Sequence, residues 1–168
     1  MAPHTDPTRK LLAVIGLACI AFLGVAWWAQ YGPDRQQPCP LCILQRYAYL
    51  LLADLALLGA AIPRRAVRFG CTLGAAAVAL AGLGLAGWQV AKGDTMLSCQ
   101  RDPIGVFVNG LPMADWWPQF FFATGGCADK LPSIMGFTVP IWSLVWFTVF
   151  SVVLVALVLA HLRNKWAP

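Results

Sequence analysis

Residues 39–62 read CPLCILQRYAYLLLADLALLGAAI: two thiols separated by two residues, then an apolar run long enough to cross a bilayer as a helix. Such a pair can cycle between dithiol and disulfide, and its place at the mouth of an apolar segment puts that chemistry at a membrane surface. Pro40 sets the local geometry. A residue before proline is pushed toward extended backbone, while proline itself suits the first position of a helix. Cys39 is therefore expected just outside a helix and Cys42 in its first turn. Free backbone N–H groups and the positive end of the helix dipole favour a thiolate there, and Arg46, four residues on from Cys42, shares its face. Cys42 reads as an activated sulfur beside a cation, facing into the bilayer.

Working outward, residues 11–29 form an uncharged run of nineteen after Arg9 and Lys10, about the length that crosses a core of roughly 30 Å. A cleaved signal peptide is the rival reading, since Gly24-Val25-Ala26 is a passable cleavage pattern. Removing it would leave an odd number of spans, and Trp27-Trp28 has the look of an interfacial anchor. The second span, 42–62, is stopped by Pro63-Arg64-Arg65. The third, 69–91, is dense in small residues, with Gly70 and Gly74 four apart and Gly82 and Ala86 repeating the spacing, which lets helix backbones approach closely and places this span centrally in a bundle. A fourth span, 139–162, begins with Pro140 near its first turn and ends in Arg163, Lys165 and Trp166. The expectation is one integral membrane domain over residues 1–168, an all-α bundle of four transmembrane helices with loops at 30–41 and 92–138.

Four spans put both termini on one side. Seven basic residues (Arg9, Lys10, Arg64, Arg65, Arg68, Arg163, Lys165) fall on that side and five (Arg35, Arg46, Lys92, Arg101, Lys130) on the other, and the short loops sharpen the contrast, three arginines at 64–68 against Arg35 alone. The termini are expected in the cytoplasm. The loop cysteines then face outward, in a bacterium the periplasm, where disulfides persist. In the long loop, residues 114–122 are too short and interrupted to span; their aromatics suit a segment lying on the membrane surface, with inward packing against the bundle as the alternative.

Composition agrees with this class. The chain of 168 residues is 60% hydrophobic and 11% charged, with a mean hydropathy of +0.69, too apolar for an ordinary soluble domain. Its net charge of +5 is split among short segments with no basic stripe, which argues against nucleic-acid binding.

Of the six cysteines, Cys39, Cys42, Cys99 and Cys127 fall in loops or at a helix start and are the redox candidates. Cys19 and Cys71 sit inside spans at different depths, about 12 Å and 3 Å from the cytoplasmic ends of their helices at roughly 1.5 Å per residue, and read as small buried apolar residues. Haem attachment fails because Ile43, not histidine, follows Cys42. A four-thiolate zinc site lacks the paired short spacing usual for it, and no metal is expected. A structural staple explains Cys39 and Cys42 poorly, since a bridge across two residues closes almost no loop. Cys99 and Cys127 suit either a staple of the long loop or a second, exchangeable disulfide, for which Gly125-Gly126 gives mobility. Arg46 near a helix end is able to snorkel, but its place one turn below Cys42 favours a functional role. Asp54, roughly 18 Å along the helix from Cys42, costs on the order of 2.5 to 3.5 kcal/mol in a bilayer and is expected to face the bundle interior as a neutral, hydrogen-bonded acid.

These residues together resemble a known family. Four spans, Pro38-Cys39-Pro40-Leu41-Cys42 opening the second, Gln45-Arg46 after it, and a long outer loop carrying Cys99 and Pro118-Gln119 through Gly126-Cys127 are similar to the DsbB family, which with DsbA and quinone keeps the bacterial periplasm oxidising. The resemblance implies an inner-membrane oxidoreductase that re-oxidises a periplasmic DsbA-like thiol oxidase and passes two electrons to a membrane quinone, ubiquinone or menaquinone, and so to the respiratory chain. Carried over by residue, it implies that Cys99 forms the mixed disulfide with DsbA, that Cys127 is its partner, that Cys39 exchanges with Cys127, and that Cys42 with Arg46 faces the quinone. Two positions depart from the family pattern: Gln45 stands where an acid is frequent, and Asp94 near the place of a histidine. Rival redox classes fit less well. A CcdA-like reductase keeps its working cysteines within a larger set of spans, and a vitamin-K-epoxide-reductase-like protein carries its C-x-x-C on the last bundle helix. A membrane scaffold with structural disulfides is the non-enzymatic alternative.

Overall fold

The computed structural model describes residues 7–32, 37–92, 103–125, 133–134 and 137–166. Four of its helices are long and apolar enough to cross a membrane: α1 (Pro7–Tyr31), α2 (Pro40–Ala61), α3 (Arg65–Lys92) and α7 (Val139–Trp166). Three short helices, α4 (Pro103–Asn109), α5 (Pro112–Trp116) and α6 (Pro118–Phe121), lie between α3 and α7, each opened by a proline in the position where its missing N–H costs nothing. The two-residue strands β1 (Ser133–Ile134) and β2 (Phe137–Thr138) pair antiparallel just before α7.

The long helices pack in chain order, α1 on α2, α2 on α3 and α3 on α7; short connections account for the first two pairings, and the third is made across a long intervening segment. At the α2–α3 corner Ile62 turns extended before Pro63, and its N–H closes the helix on the Leu58 carbonyl at 3.0 Å. Arg9 of α1 reaches across to this end, donating to the Ala60 and Ala61 carbonyls at 2.9 and 3.4 Å. A cation there complements the negative end of the α2 dipole and pins α1 beside it.

Small residues on α3 do what their spacing predicts, but on one face only. Ala75, Ala79, Gly82 and Ala86 form a buried stripe at alternating steps of four and three. A Cβ on Gly82 would overlap the Phe147 ring of α7, so that ring lies directly on the α3 backbone. Phe147 in turn stacks on Tyr49 of α2 at 4.3 Å between centroids, joining three helices through one layer. Gly70 has open space at its Cβ and Gly74 only ordinary contact with Leu55, so their spacing contributes no close approach.

Asp54 departs from expectation. It sits exposed on the outer face of α2 between Leu51 and Leu58, not toward the interior, because the buried face of α2 follows Arg46, Tyr49, Ala53 and Ala56. The aromatic stretch at 114–122 divides between its two readings. Trp116, Trp117 and Phe122 are exposed, as an interfacial segment requires, whereas Phe120 and Phe121 are buried against Ile43 and Val108.

Candidate functional site

The site is built on the first turn of α2. Cys39 is the N-cap, extended at φ −78° and ψ 161°, with Pro40 as the first helical residue and Cys42 in the first turn, as the proline geometry requires. Cys39 Sγ takes the place of the usual capping oxygen and accepts from the Cys42 backbone N–H at 3.3 Å. The helix-start donor expected to serve Cys42 is thus spent on Cys39. The two sulfurs are free thiols 2.9 Å apart, with Cys39 donating to Cys42. That bond, and then burial, hold the Cys39 thiol well above the usual thiol range.

The pair is asymmetric in its surroundings. Cys39 is 1% exposed and packs with Leu41 against Leu85 and Ile104. Cys42 lines a partly open cavity of about 370 Å³ between α1, α2 and α7. Its walls are mainly apolar and aromatic, with Phe22, Tyr49, Trp142 and Trp146, and a few polar groups converge on it from Gln30, Gln45, Arg46 and Ser143. A mostly apolar cleft with a small number of placed polar groups is the usual form of a small-molecule site.

Arg46 lines that cavity, and its guanidinium also ties three elements together. One nitrogen donates to Gln30 Oε1 of α1 at 2.7 Å and to the Phe120 carbonyl of α6 at 2.6 Å, while the cation lies 4.5 Å from the centroid of the Phe120 ring. Gln30 and Tyr31 donate to the neighbouring Gln119 carbonyl at 2.7 and 2.8 Å, so the end of α1 and Arg46 hold α6 from both sides.

The chain after α6 is fastened beside the dithiol. Asn109 exchanges two hydrogen bonds with the Ala123 backbone, accepting at 2.8 Å and donating at 3.2 Å. The Thr124 and Gly125 N–H groups donate to the Pro38 carbonyl, one residue before Cys39, at 3.2 and 3.1 Å. A Cβ on Gly125 would overlap the Gln37 carbonyl oxygen, so glycine is needed for this approach. Cys99 and Cys127 lie outside the described residues, as does Asp94. Cys19 is buried as expected and Cys71 half-buried, both as free thiols. Among the described residues, no three histidine, cysteine or acidic side chains cluster as a metal site would need.

Sequence reasoning missed Gln89. It is 3% exposed, and its amide nitrogen lies 3.4 Å from both Cys39 Sγ and Cys42 Sγ. Its oxygen accepts from Gln45 Nε2 at 2.7 Å. The signal was present: Gln89 continues the stripe of Ala75, Ala79, Gly82 and Ala86 by three residues, which turns it toward α2.

Along most of its length the chain is similar to a known family and to curated proteins. The family described as "Disulfide bond formation protein DsbB" matches residues 8–157. Among curated relatives, a "Disulfide bond formation protein B" of Herminiimonas arsenicoxydans is 37% identical over 148 residues, covering 88% of this chain and 92% of the relative. A "Disulfide bond formation protein B 1" of Pseudomonas fluorescens is 40% identical over 159 residues, covering 94% and 92%, and one of Pseudomonas syringae is 36% identical over 162 residues, covering 94% of each.

Proposed function

The chain belongs to the DsbB family of disulfide bond formation proteins, and from that premise we propose that this multi-pass membrane oxidoreductase re-oxidises a periplasmic DsbA-like thiol oxidase and hands two electrons to a membrane quinone. The observation that carries the reading is the asymmetry of the dithiol: Cys42 on the wall of an apolar, aromatic cavity, and Cys39 beside the docked segment that leads two residues on to Cys127.

The thiolate of the reduced partner attacks the Cys99–Cys127 disulfide, forming a mixed disulfide at Cys99 and releasing Cys127 as a thiolate. Cys127 then attacks Cys39 Sγ of the second disulfide, and Cys42 leaves as a thiolate. Each step is a thiolate displacement that conserves one S–S bond. The Pro38 carbonyl holds Thr124 and Gly125 beside the dithiol, and Cys127 follows Gly125 by two residues in the sequence. The electron pair ends on Cys42, at the cavity wall.

The residues of that cavity fit a quinone head group. Trp142, Trp146, Phe22 and Tyr49 offer ring faces, and Gln45, Arg46 and Ser143 offer polar groups for two carbonyl oxygens. A bound quinone supplies a two-electron, two-proton acceptor. Such a sink is required because DsbA is itself a strong oxidant, near roughly −120 mV. On this reading the active cysteines face the periplasm and the protein resides in the inner membrane.

The test mixes purified protein with excess reduced DsbA-like oxidase and ubiquinone or menaquinone, following quinone reduction and thiol loss together. One quinone reduced per disulfide formed is expected, with Cys42→Ser inactive. Absence of coupled turnover, or full turnover in Cys42→Ser, refutes the reading.

A further inference from the structure

While Cys39 is held in a mixed disulfide it carries no S–H, so it cannot give Cys42 the 2.9 Å hydrogen bond seen in the dithiol. The Cys42 backbone N–H is already directed at Cys39 Sγ. Arg46 contributes charge, but the guanidinium nitrogen described above donates to Gln30 and the Phe120 carbonyl. The amide of Gln89 stays directed at Cys42 Sγ, at 3.4 Å, as a side-chain donor that this exchange does not consume.

That amide is held for the task. A carboxamide has two N–H donors on one end and a carbonyl on the other, and rotating it by half a turn replaces donors with an acceptor. Gln45 Nε2 occupies the Gln89 oxygen at 2.7 Å, so the NH₂ end is the one turned to the sulfurs. Both side chains are buried, at 4% and 3% exposure, where an unpaired amide is costly and water does not compete. The glutamine at 45 matters here. A carboxylate in its place accepts hydrogen bonds and cannot donate one, so it would take the Gln89 NH₂ for itself and present the Gln89 oxygen to the sulfurs.

We propose that Gln89 is a catalytic residue of the Cys39–Cys42 pair, donating to Cys42 Sγ as it leaves, and that Gln45 is the positioning residue that keeps its NH₂ end toward sulfur. The step balances as a displacement. The attacking thiolate forms an S–S bond to Cys39, the Cys39–Cys42 bond breaks, and Cys42 keeps the bonding pair as a thiolate stabilised by the Gln89 N–H. Its identity as the Cys127 step rests on the function proposed above, whereas the stabilisation of the reduced pair does not.

The experiment uses the full chain with Cys99→Ser and Cys127→Ser, equilibrated with reduced and oxidised glutathione, and reads the disulfide fraction of the peptide carrying Cys39 and Cys42 by mass spectrometry. Gln89→Met keeps the side-chain volume and removes the donors. It is expected to shift the exchange constant about tenfold toward the disulfide, equivalent to about 30 mV for a two-electron couple. Gln45→Glu is expected to shift it tenfold or more in the same direction, and decides the matter if Gln89→Met does not yield folded protein. An exchange constant within twofold of the parent in either folded variant, or a shift toward the dithiol, overturns the proposal. Quinone reduction by the unmodified protein is run alongside: its failure refutes the proposed function and leaves the exchange constants to decide Gln89.

Discussion

Replacing Arg46 by methionine separates two roles that its position allows, a cation at the cavity and a clamp on the outer segment. The substitution removes donors to Gln30 Oε1 and the Phe120 carbonyl and the cation over the Phe120 ring. Hydrogen bonds to a charged group contribute about 1.5 to 3 kcal/mol each, and the cation–π contact about 0.5 to 1 kcal/mol at a partly exposed site. Water recovers part of this for both acceptors, leaving a loss of about 3 kcal/mol in the docking of α6. At about 1.4 kcal/mol per decade, local opening should become about a hundredfold more frequent. The assay is native-state hydrogen exchange at Thr124 and Gly125, whose N–H groups are protected by the Pro38 carbonyl. Their protection should fall about a hundredfold in Arg46→Met and about tenfold in Arg46→Lys, which keeps the charge and one contact. Amides in the middle of α3 should not change. Unaltered protection at 124 and 125, or an equal loss throughout α3 and α7, would refute the clamp.

Two glycines separated by one residue on α3 should respond with opposite signs. Gly82→Ala pushes a methyl into the Phe147 ring and is expected to destabilise the bundle by about 2 to 3 kcal/mol, whereas Gly84→Ala, with open space at its Cβ, should stabilise it by up to about 1 kcal/mol; melting in detergent reads both. The pH dependence of Cys39 follows from its raised pKa. The folded protein keeps this proton longer than the unfolded chain, so the stability it contributes is present at neutral pH and declines as pH rises past the ordinary thiol value. Alkylation of Cys39 in the reduced protein should still be accelerating at pH 10, and a plateau at or below pH 9, the ordinary thiol value, would contradict the assignment.

What the sequence disclosed about this site, it disclosed through local rules. Pro40 alone was enough to place Cys39 outside α2 and Cys42 inside it, because proline constrains its own φ and its neighbour's backbone. The four long helices were readable from long apolar runs, three of them without charge and the second carrying only Arg46 and Asp54, since little else in a folded chain needs apolar segments of that length. The partners of Arg46 were not readable. Phe120 contributes a main-chain carbonyl from 74 residues away, and a carbonyl is present at every residue. Gln89 escaped notice because a single polar residue near the end of an apolar helix resembles a boundary, and its meaning emerges only when the small-residue stripe is extended to it. Asp54 was misjudged for the converse reason: an acid in a span is expensive wherever it faces, and cost alone does not say which side of the helix it occupies.

The seam between the first and last long helices has a consequence for kinetics. α1 and α7 meet there through rings, Phe22 against Trp146 and Phe150 at centroid distances of 4.9 and 6.2 Å, and the half-exposed Val25 stands at the cavity rim. An occupant entering through such a seam comes sideways out of the lipid, so the concentration that governs its arrival is its mole fraction in the membrane. Adding lipid at fixed protein and fixed total acceptor should slow occupancy in proportion, while diluting the surrounding buffer should leave it unchanged. The thiol partner of the proposed function, which would arrive from water, should show the reverse dependence.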